Sequence, residues 1–296
     1  MSDISCVVVT GSSGFIGARV VERLEALGIS IIEVDAAGGA ATDIRDEAVL
    51  SIIPEGSAVV HLAALSTSGQ CADDPGAAVD VNIMGSLNLW KAAVDAGAKR
   101  LVFASTEWVY GNAGSEQAVT EMADISLNSL TDTYAITKAA AESLLAAAPG
   151  DIDLAILRFG IVYGPRSSGW SAAESLLSAV ANSDEVRVGS LRTSRRFIHV
   201  DDVAAAVVMA ALGTGSYTVN IAGSRLVTLG EVIEVAQGIT DKRVEVIETS
   251  PEGVTVRNPD PSLARDLLGW QPQIDFEQGL RQVAEHLGFA QAQSHG

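Results

Sequence analysis

The chain has 296 residues, 48% hydrophobic and 19% charged, which is enough apolar side chain for one large α/β domain or two unequal ones and argues against disorder. Its formal charge of −18 argues against nucleic acid or an anionic membrane as partner, so an anionic ligand must meet local positive charge or helix N-termini. No apolar run has membrane-spanning length, no basic segment followed by an apolar stretch opens the sequence, and Cys6 and Cys71 form no CxxC pair; the expectation is a cytoplasmic protein with reduced thiols and no metal site.

In chain order, "ISCVVVT" (4–10) predicts a strand, and residues 18–27 place Val21, Leu24 and Leu27 at helical spacing. Strands are predicted at 30–35 and 58–64, a helix at 81–97, a strand at 100–106, a helix at 135–148 and a buried strand at 153–164. Repeated β-α-β units of this kind predict a doubly wound parallel sheet of the Rossmann type, with ligand-binding loops at the strands' C-terminal ends. After Pro165 the regularity breaks: residues 166–196 hold one helix and a polar, arginine-bearing stretch, and 196–211 and 217–223 read as a return to the sheet. The last seventy residues or so read as a smaller α+β portion, which together with 166–196 would bind substrate. The expected division is residues 1–165 plus 197–222 for the dinucleotide and 166–196 plus 223–296 for the substrate.

"VVVTGSSGFIGARV" (7–20) carries Gly11, Gly14 and Gly17 between the first strand and the first helix. Gly11 permits the sharp turn, Gly14 lets backbone approach a pyrophosphate, and Gly17 lets the helix pack closely, with the helix N-terminus facing the phosphates. Taken alone, the triplet also fits a glycine-rich turn with no ligand. Asp35, closing the second strand, falls where a carboxylate would hold both ribose hydroxyls of NAD and repel the extra phosphate of NADP; no arginine follows in "DAA" (35–37). "YAITK" puts Tyr134 and Lys138 four residues apart, on one helix face. A lysine ammonium beside a phenol favours the phenolate, which can take a proton from a substrate hydroxyl as hydride leaves the same carbon. Such a pair is also common on amphipathic surfaces, but here it lies downstream of "FASTEWVYG" (103–111), where Thr106 could hydrogen-bond the same substrate oxygen.

With these motifs in view, the chain resembles an extended short-chain dehydrogenase/reductase of the NAD-dependent sugar-nucleotide epimerase/dehydratase group. The likeness runs through "TGSSGFIG" (10–17), "DIRD" (43–46), "HLAA" (61–64), "DVNIMGSLNL" (80–89), "STEWVYG" (105–111), "YAITK" (134–138), "LRFGIVYGP" (157–165), "RRFIHVDDV" (195–203) and "RNPDPSLARDLLGWQP" (257–272). The resemblance implies Thr106, Tyr134 and Lys138 as the catalytic triad, with Tyr134 as acid and base, Lys138 on the ribose and Thr106 orienting the substrate hydroxyl. It implies a cofactor site of Gly11, Gly14, Phe15, Ile16, Gly17, Asp35, Asp43, Ile44, Leu62, Ala63 and Ala64, together with Tyr134 and Lys138. Asp43 and Ile44 would meet adenine and Ala63 the phosphates. Thr106, Glu107, Arg195 and Arg257 would meet the substrate, the arginines at its diphosphate, although each could instead form a surface ion pair. His61 is expected to pack its strand and Asn82 to be structural.

Several positions depart from that pattern. Ala135 and Thr137 replace small residues in the tyrosine motif, Ile161 stands where many epimerases carry an asparagine, and Arg196 replaces an aspartate. Glu107–Trp108 replaces the Asp-Glu pair that 4,6-dehydratases use for elimination, so that route is not expected. The expected function is an NAD-dependent epimerase of a nucleoside-diphosphate sugar, in the cytoplasm and as a homodimer through helices 81–97 and 135–148. The alternatives are a net dehydrogenase or reductase of a sugar, sugar acid or small alcohol, and a non-catalytic dinucleotide sensor.

Overall fold

The computed structural model describes residues 4–36, 43–46, 51–111, 116–169 and 171–289. In chain order these form β1 (Cys6–Thr10), α1 (Phe15–Ala26), β2 (Ser30–Val34), β3 (Ala58–His61), α2 (Ser68–Asp73), α3 (Pro75–Val79), α4 (Ser86–Asp95), β4 (Arg100–Thr106), α5 (Thr133–Ala147), β5 (Asp153–Phe159) and β6 (Ile161–Tyr163). There follow α6 (Ala172–Asn182), β7 (Glu185–Val188), β8 (Ser194–Arg195), β9 (Phe197–His199), α7 (Val200–Ala211), β10 (Tyr217–Ile221), β11 (Val227–Thr228), α8 (Leu229–Thr240), β12 (Glu245–Glu248), α9 (Ser262–Leu268) and α10 (Phe276–His286).

Val7, Val8 and Val9 are all fully buried, because β1 is covered on both faces and its side chains alternate between them. Val7 and Val9 join a core with Val60, Leu157, Val203 and Val207 under α1 and α7. Val8 joins Val59, Leu89, Leu101, Phe103 and Leu145 under α4 and α5. The six-stranded sheet runs β10-β5-β4-β3-β1-β2, every neighbouring pair parallel. After β2 the chain returns to the other side of β1, so the strand order reverses between β1 and β3, and the crevice where ligands bind in such sheets opens at their C-terminal ends. A third core packs Tyr163, Leu177, Val180, Ile233, Leu280 and Val283 among α6, α8 and α10. Among the described residues no helix is long and apolar enough to cross a membrane, and no group of acids, histidines and cysteines could hold a metal ion.

The structure redraws four of the expected elements. The predicted strand 58–64 ends at His61, and the next residues pass over the glycine loop. The single helix expected at 81–97 is α3, a π-helical turn over Asp80–Gly85, and α4; Asn82 lies on the π turn and is buried. The strand expected at 153–164 is interrupted at Gly160, whose amide still donates to Ile221 O (2.9 Å) before β6 leaves to pair with β9. A side chain there would put its Cβ 2.6 Å from Arg196 O. Consequently β9, expected back in the main sheet, lies in a two-stranded sheet of its own, while β10 alone returns to the edge beside β5.

Candidate active site

The glycine loop is built by close backbone packing. Gly11 takes a left-handed φ of 69°, its amide donates to Val34 O (2.8 Å), and an added Cβ would lie 2.8 Å from Ala63 N. A Cβ on Gly17 would fall 2.0 Å from Gly11 O, so Gly17 seats α1 against the loop itself. Gly14 is the N-cap of α1 and offers no side chain to its first amides, which are left for a ligand at the positive end of the helix dipole. The Asp35 carboxylate accepts from Ser13 N (2.9 Å), tying the end of β2 to the loop.

A cavity of about 840 Å³ runs from this loop to the end of β4. Its walls include every expected cofactor residue: Gly11, Gly14, Phe15, Ile16, Gly17, Asp35, Asp43, Ile44, Leu62, Ala63, Ala64, Tyr134 and Lys138. Arg45, missed in the sequence reading, also lines it and grips Asp43 through Nη2 (2.6 Å) and Nε (2.9 Å), holding that carboxyl below its usual range chiefly by the side-chain hydrogen bond. Arg166 is a second unpredicted lining residue, its guanidinium 4.1 Å from the Phe15 ring centre and bound to Glu174. Arg45 stands inside "DIRD" (43–46), from which only Asp43 and Ile44 were drawn, and Arg166 follows directly on "LRFGIVYGP" (157–165).

Beneath the cavity, Thr10 Oγ1 accepts from Ala63 N (3.2 Å) and donates to His61 Nδ1 (2.8 Å), and His61 Nε2 donates to Ser86 Oγ (2.9 Å). Burial first, and the Lys138 charge second, push the imidazole down to about 3, so His61 is a neutral strut between β3 and α4. Asn82 clamps the backbone of Leu65 with both ends of its amide (2.9 and 3.0 Å) and donates to Thr137 Oγ1 (3.1 Å).

The triad sits at the far end. β4 ends at Thr106, and α5 starts from Asp132, whose carboxylate caps the amide of Ala135 (3.1 Å). Tyr134 in the first turn has its phenol within hydrogen-bonding reach of Thr106. Lys138 Nζ donates to Ala104 O (2.8 Å) and lies 4.7 Å from the Phe103 ring centre. One helical turn further, Glu142 accepts from Ser105 and forms a buried fork with Arg158 (2.7 Å to Nη2), so Tyr134, Lys138 and Glu142 occupy one face of α5 and lock it to β4 and β5. Burial pulls Lys138 down to about 8. Burial also raises the Tyr134 phenol well above its usual range, opposed by Thr106 and not by Lys138. The expected lowering of the tyrosine by its lysine is therefore absent from the protein alone, because the ammonium is engaged by a backbone carbonyl of β4.

Glu107, Arg195 and Arg257 converge beside Thr106, though none of the three lines the cavity. Arg195 donates through Nη1 to Ser194 O and Thr255 O and through Nη2 to Thr255 Oγ1 (2.7–2.8 Å). Arg257 donates from Nε to Gly111 O (3.2 Å) and stacks 4.0 Å from the centre of the Trp108 ring. Arg196 ties Asn258 to the backbone at Gly223 and Ser224, and Ile161 lines the cavity with an apolar side chain.

A strand–glycine loop–helix unit, an acid closing the second strand and a Thr-Tyr-Lys triad on one cavity define a dinucleotide-dependent enzyme of the extended short-chain dehydrogenase/reductase type. The chain belongs to the NAD dependent epimerase/dehydratase family, whose profile matches residues 7–222. It is 29% identical to UDP-glucuronate 4-epimerase of Thermodesulfobacterium geofontis, over 93% of this chain and 94% of that protein. Among solved structures it resembles the UDP-glucose 4-epimerase of Thermus thermophilus in complex with NAD (TM-score 0.83, 26% identity, 96% of this chain and 99% of that one). It is also similar to MoeE5 in complex with UDP-glucuronic acid and NAD (TM-score 0.85, 27% identity, 95% and 98%).

Proposed function

We propose that the chain is an NAD-dependent epimerase that inverts one carbon of a nucleoside-diphosphate sugar through transient oxidation to a keto-sugar and re-reduction. The carrying observation is that Thr106, Tyr134 and Lys138 close one end of a cavity whose other end is the uncapped α1 amides and Asp35. Gly14 and its neighbours would hold the pyrophosphate, Asp35 the adenosine ribose, Ile44 and Asp43 the adenine, and Lys138 the second ribose. NAD, when bound, supplies the hydride acceptor and donor together with a positive charge beside the phenol, the kind of charge that lowers a phenol's pKa. Tyr134 takes the hydroxyl proton of the sugar and returns it after the keto-sugar has turned over, while Thr106 orients that oxygen. Arg195 and Arg257 would serve the substrate diphosphate.

The separate core of α6, α8 and α10 supports residues 166–196 plus 223–296 as the substrate portion, with 1–165 plus 197–222 as the dinucleotide portion. A cytoplasmic homodimer completes the proposal: Val79, Met84 and Leu144 expose 42–48% of their surface on elements that pack around α5. Ile161, apolar on the cavity wall, favours a second reading, net oxidation of a sugar or small alcohol.

Incubation with UDP-sugars separates these readings. Epimerisation yields product with no lasting NADH absorbance, whereas net oxidation accumulates it in proportion to substrate. In either case Tyr134→Phe should lower kcat by about 10²–10⁴-fold and leave the NAD-induced thermal shift in place. Unchanged turnover would refute the assigned chemistry.

A further inference from the structure

Glu107, expected from the sequence to meet the substrate, has no defined part in the chemistry above. Glu107 lies between Thr106 and Trp108, which both line the cavity, and it is completely buried. Neither of its carboxylate oxygens has a hydrogen-bond partner among the described residues. The charges that act on it are the guanidinium groups of Arg257 and Arg195, which act through space while donating to Gly111 and to Ser194 and Thr255. Burial outweighs both and pushes the carboxyl up to about 8. A buried acid without a partner beside Thr106 calls for a donor, and substrate is what the cavity flanked by Thr106 and Trp108 would receive.

We propose that Glu107 is the specificity-determining residue of the sugar site: it hydrogen-bonds a sugar hydroxyl and rejects a sugar bearing a carboxylate, making the substrate a neutral nucleoside-diphosphate sugar. The proposal rests on the epimerase reading and narrows it. A hydroxyl both donates and accepts, so it satisfies Glu107 whether the acid is ionised or protonated. A uronate only accepts; in a dry enclosure it meets Glu107 either as a second negative charge or by sharing one proton between the two carboxylates. Both arginines are assigned above to the substrate diphosphate, which leaves a uronate to meet Glu107 itself.

The test compares binding and kcat/KM of UDP-glucose and UDP-glucuronate for the NAD-loaded wild type, Glu107→Gln and Glu107→Ser. Wild type should favour UDP-glucose by at least about tenfold, and Glu107→Ser should narrow the ratio by about tenfold or more, chiefly by improving the uronate. Equal use of the two sugars, a preference for the uronate, binding of neither, or a ratio unmoved by both substitutions overturns the proposal. Should the variants fail to fold, the wild-type ratio alone decides. Preferential binding of UDP-glucose without epimerisation would support this assignment and defeat the epimerase reading. Preferred epimerisation of UDP-glucuronate would do the reverse.

Discussion

Burial raises the phenol of Tyr134, and the ammonium one turn along α5 donates to Ala104 O, so the acid–base role proposed for Tyr134 calls for the further positive charge that NAD would bring. The i, i+4 spacing in "YAITK" announces the pair, but sequence spacing carries no sign of which carbonyl claims Nζ. The third member of the same face, Glu142, was equally readable at i+8, yet nothing in the motif said that Ser105 and Arg158 would converge on it. Glu107 carries its own consequence for stability. Its folded pKa of about 8 lies above the unfolded carboxylate value, so the native state binds the extra proton between roughly pH 4.5 and 8. The associated stability is complete below that window and is lost as pH rises through it. Urea unfolding should therefore show Glu107→Gln gaining on wild type by on the order of 2–4 kcal/mol from pH 5 to pH 8, and no further above it. A constant difference across that range would contradict the buried ionisation.

At the scale of elements, the glycine loop was legible because Gly11 and Gly17 each answer to a steric demand, with the Gly11 carbonyl and not the strand as the surface that Gly17 meets; the approach of Gly14 to a pyrophosphate belongs to the proposal. Gly17→Ala should cost about 1–3 kcal/mol and abolish the NAD-induced thermal shift, since the methyl would drive α1 off the Gly11 carbonyl. Retention of dinucleotide binding by a folded variant would show that the helix need not approach so closely. The helix at 81–97 reads as one piece because an i→i+5 turn leaves apolar periodicity nearly intact; the turn goes with the burial of Asn82 and its grip on Leu65, which periodicity does not show. Gly160 had a signal that was passed over, a glycine inside "LRFGIVYGP", where a close backbone neighbour interrupts a strand.

For the whole molecule, alternating β-branched runs and alanine-rich helices predicted a parallel sheet with both faces covered, and the order β10-β5-β4-β3-β1-β2 puts its switch point at the glycine loop. Partner strands of the late segments could not be read, because β6 and β9 are three-residue pieces whose pairing depends on contacts far away in sequence. The face around α5 gives the test of assembly: Leu144→Glu should convert a dimer into a monomer in analytical ultracentrifugation, with NAD binding preserved. A wild-type monomer at the same concentration would remove the proposed interface. The sheet also has an implication for biosynthesis. One of its two edge strands, β10, is the last of the six to leave the ribosome, so at about 5–20 residues per second the flank of β5 stays uncapped for several seconds while the intervening segment is translated. During that interval the nascent chain offers a bare hydrogen-bonding edge to its neighbours, which makes chaperone supply and growth temperature the levers on its recombinant yield.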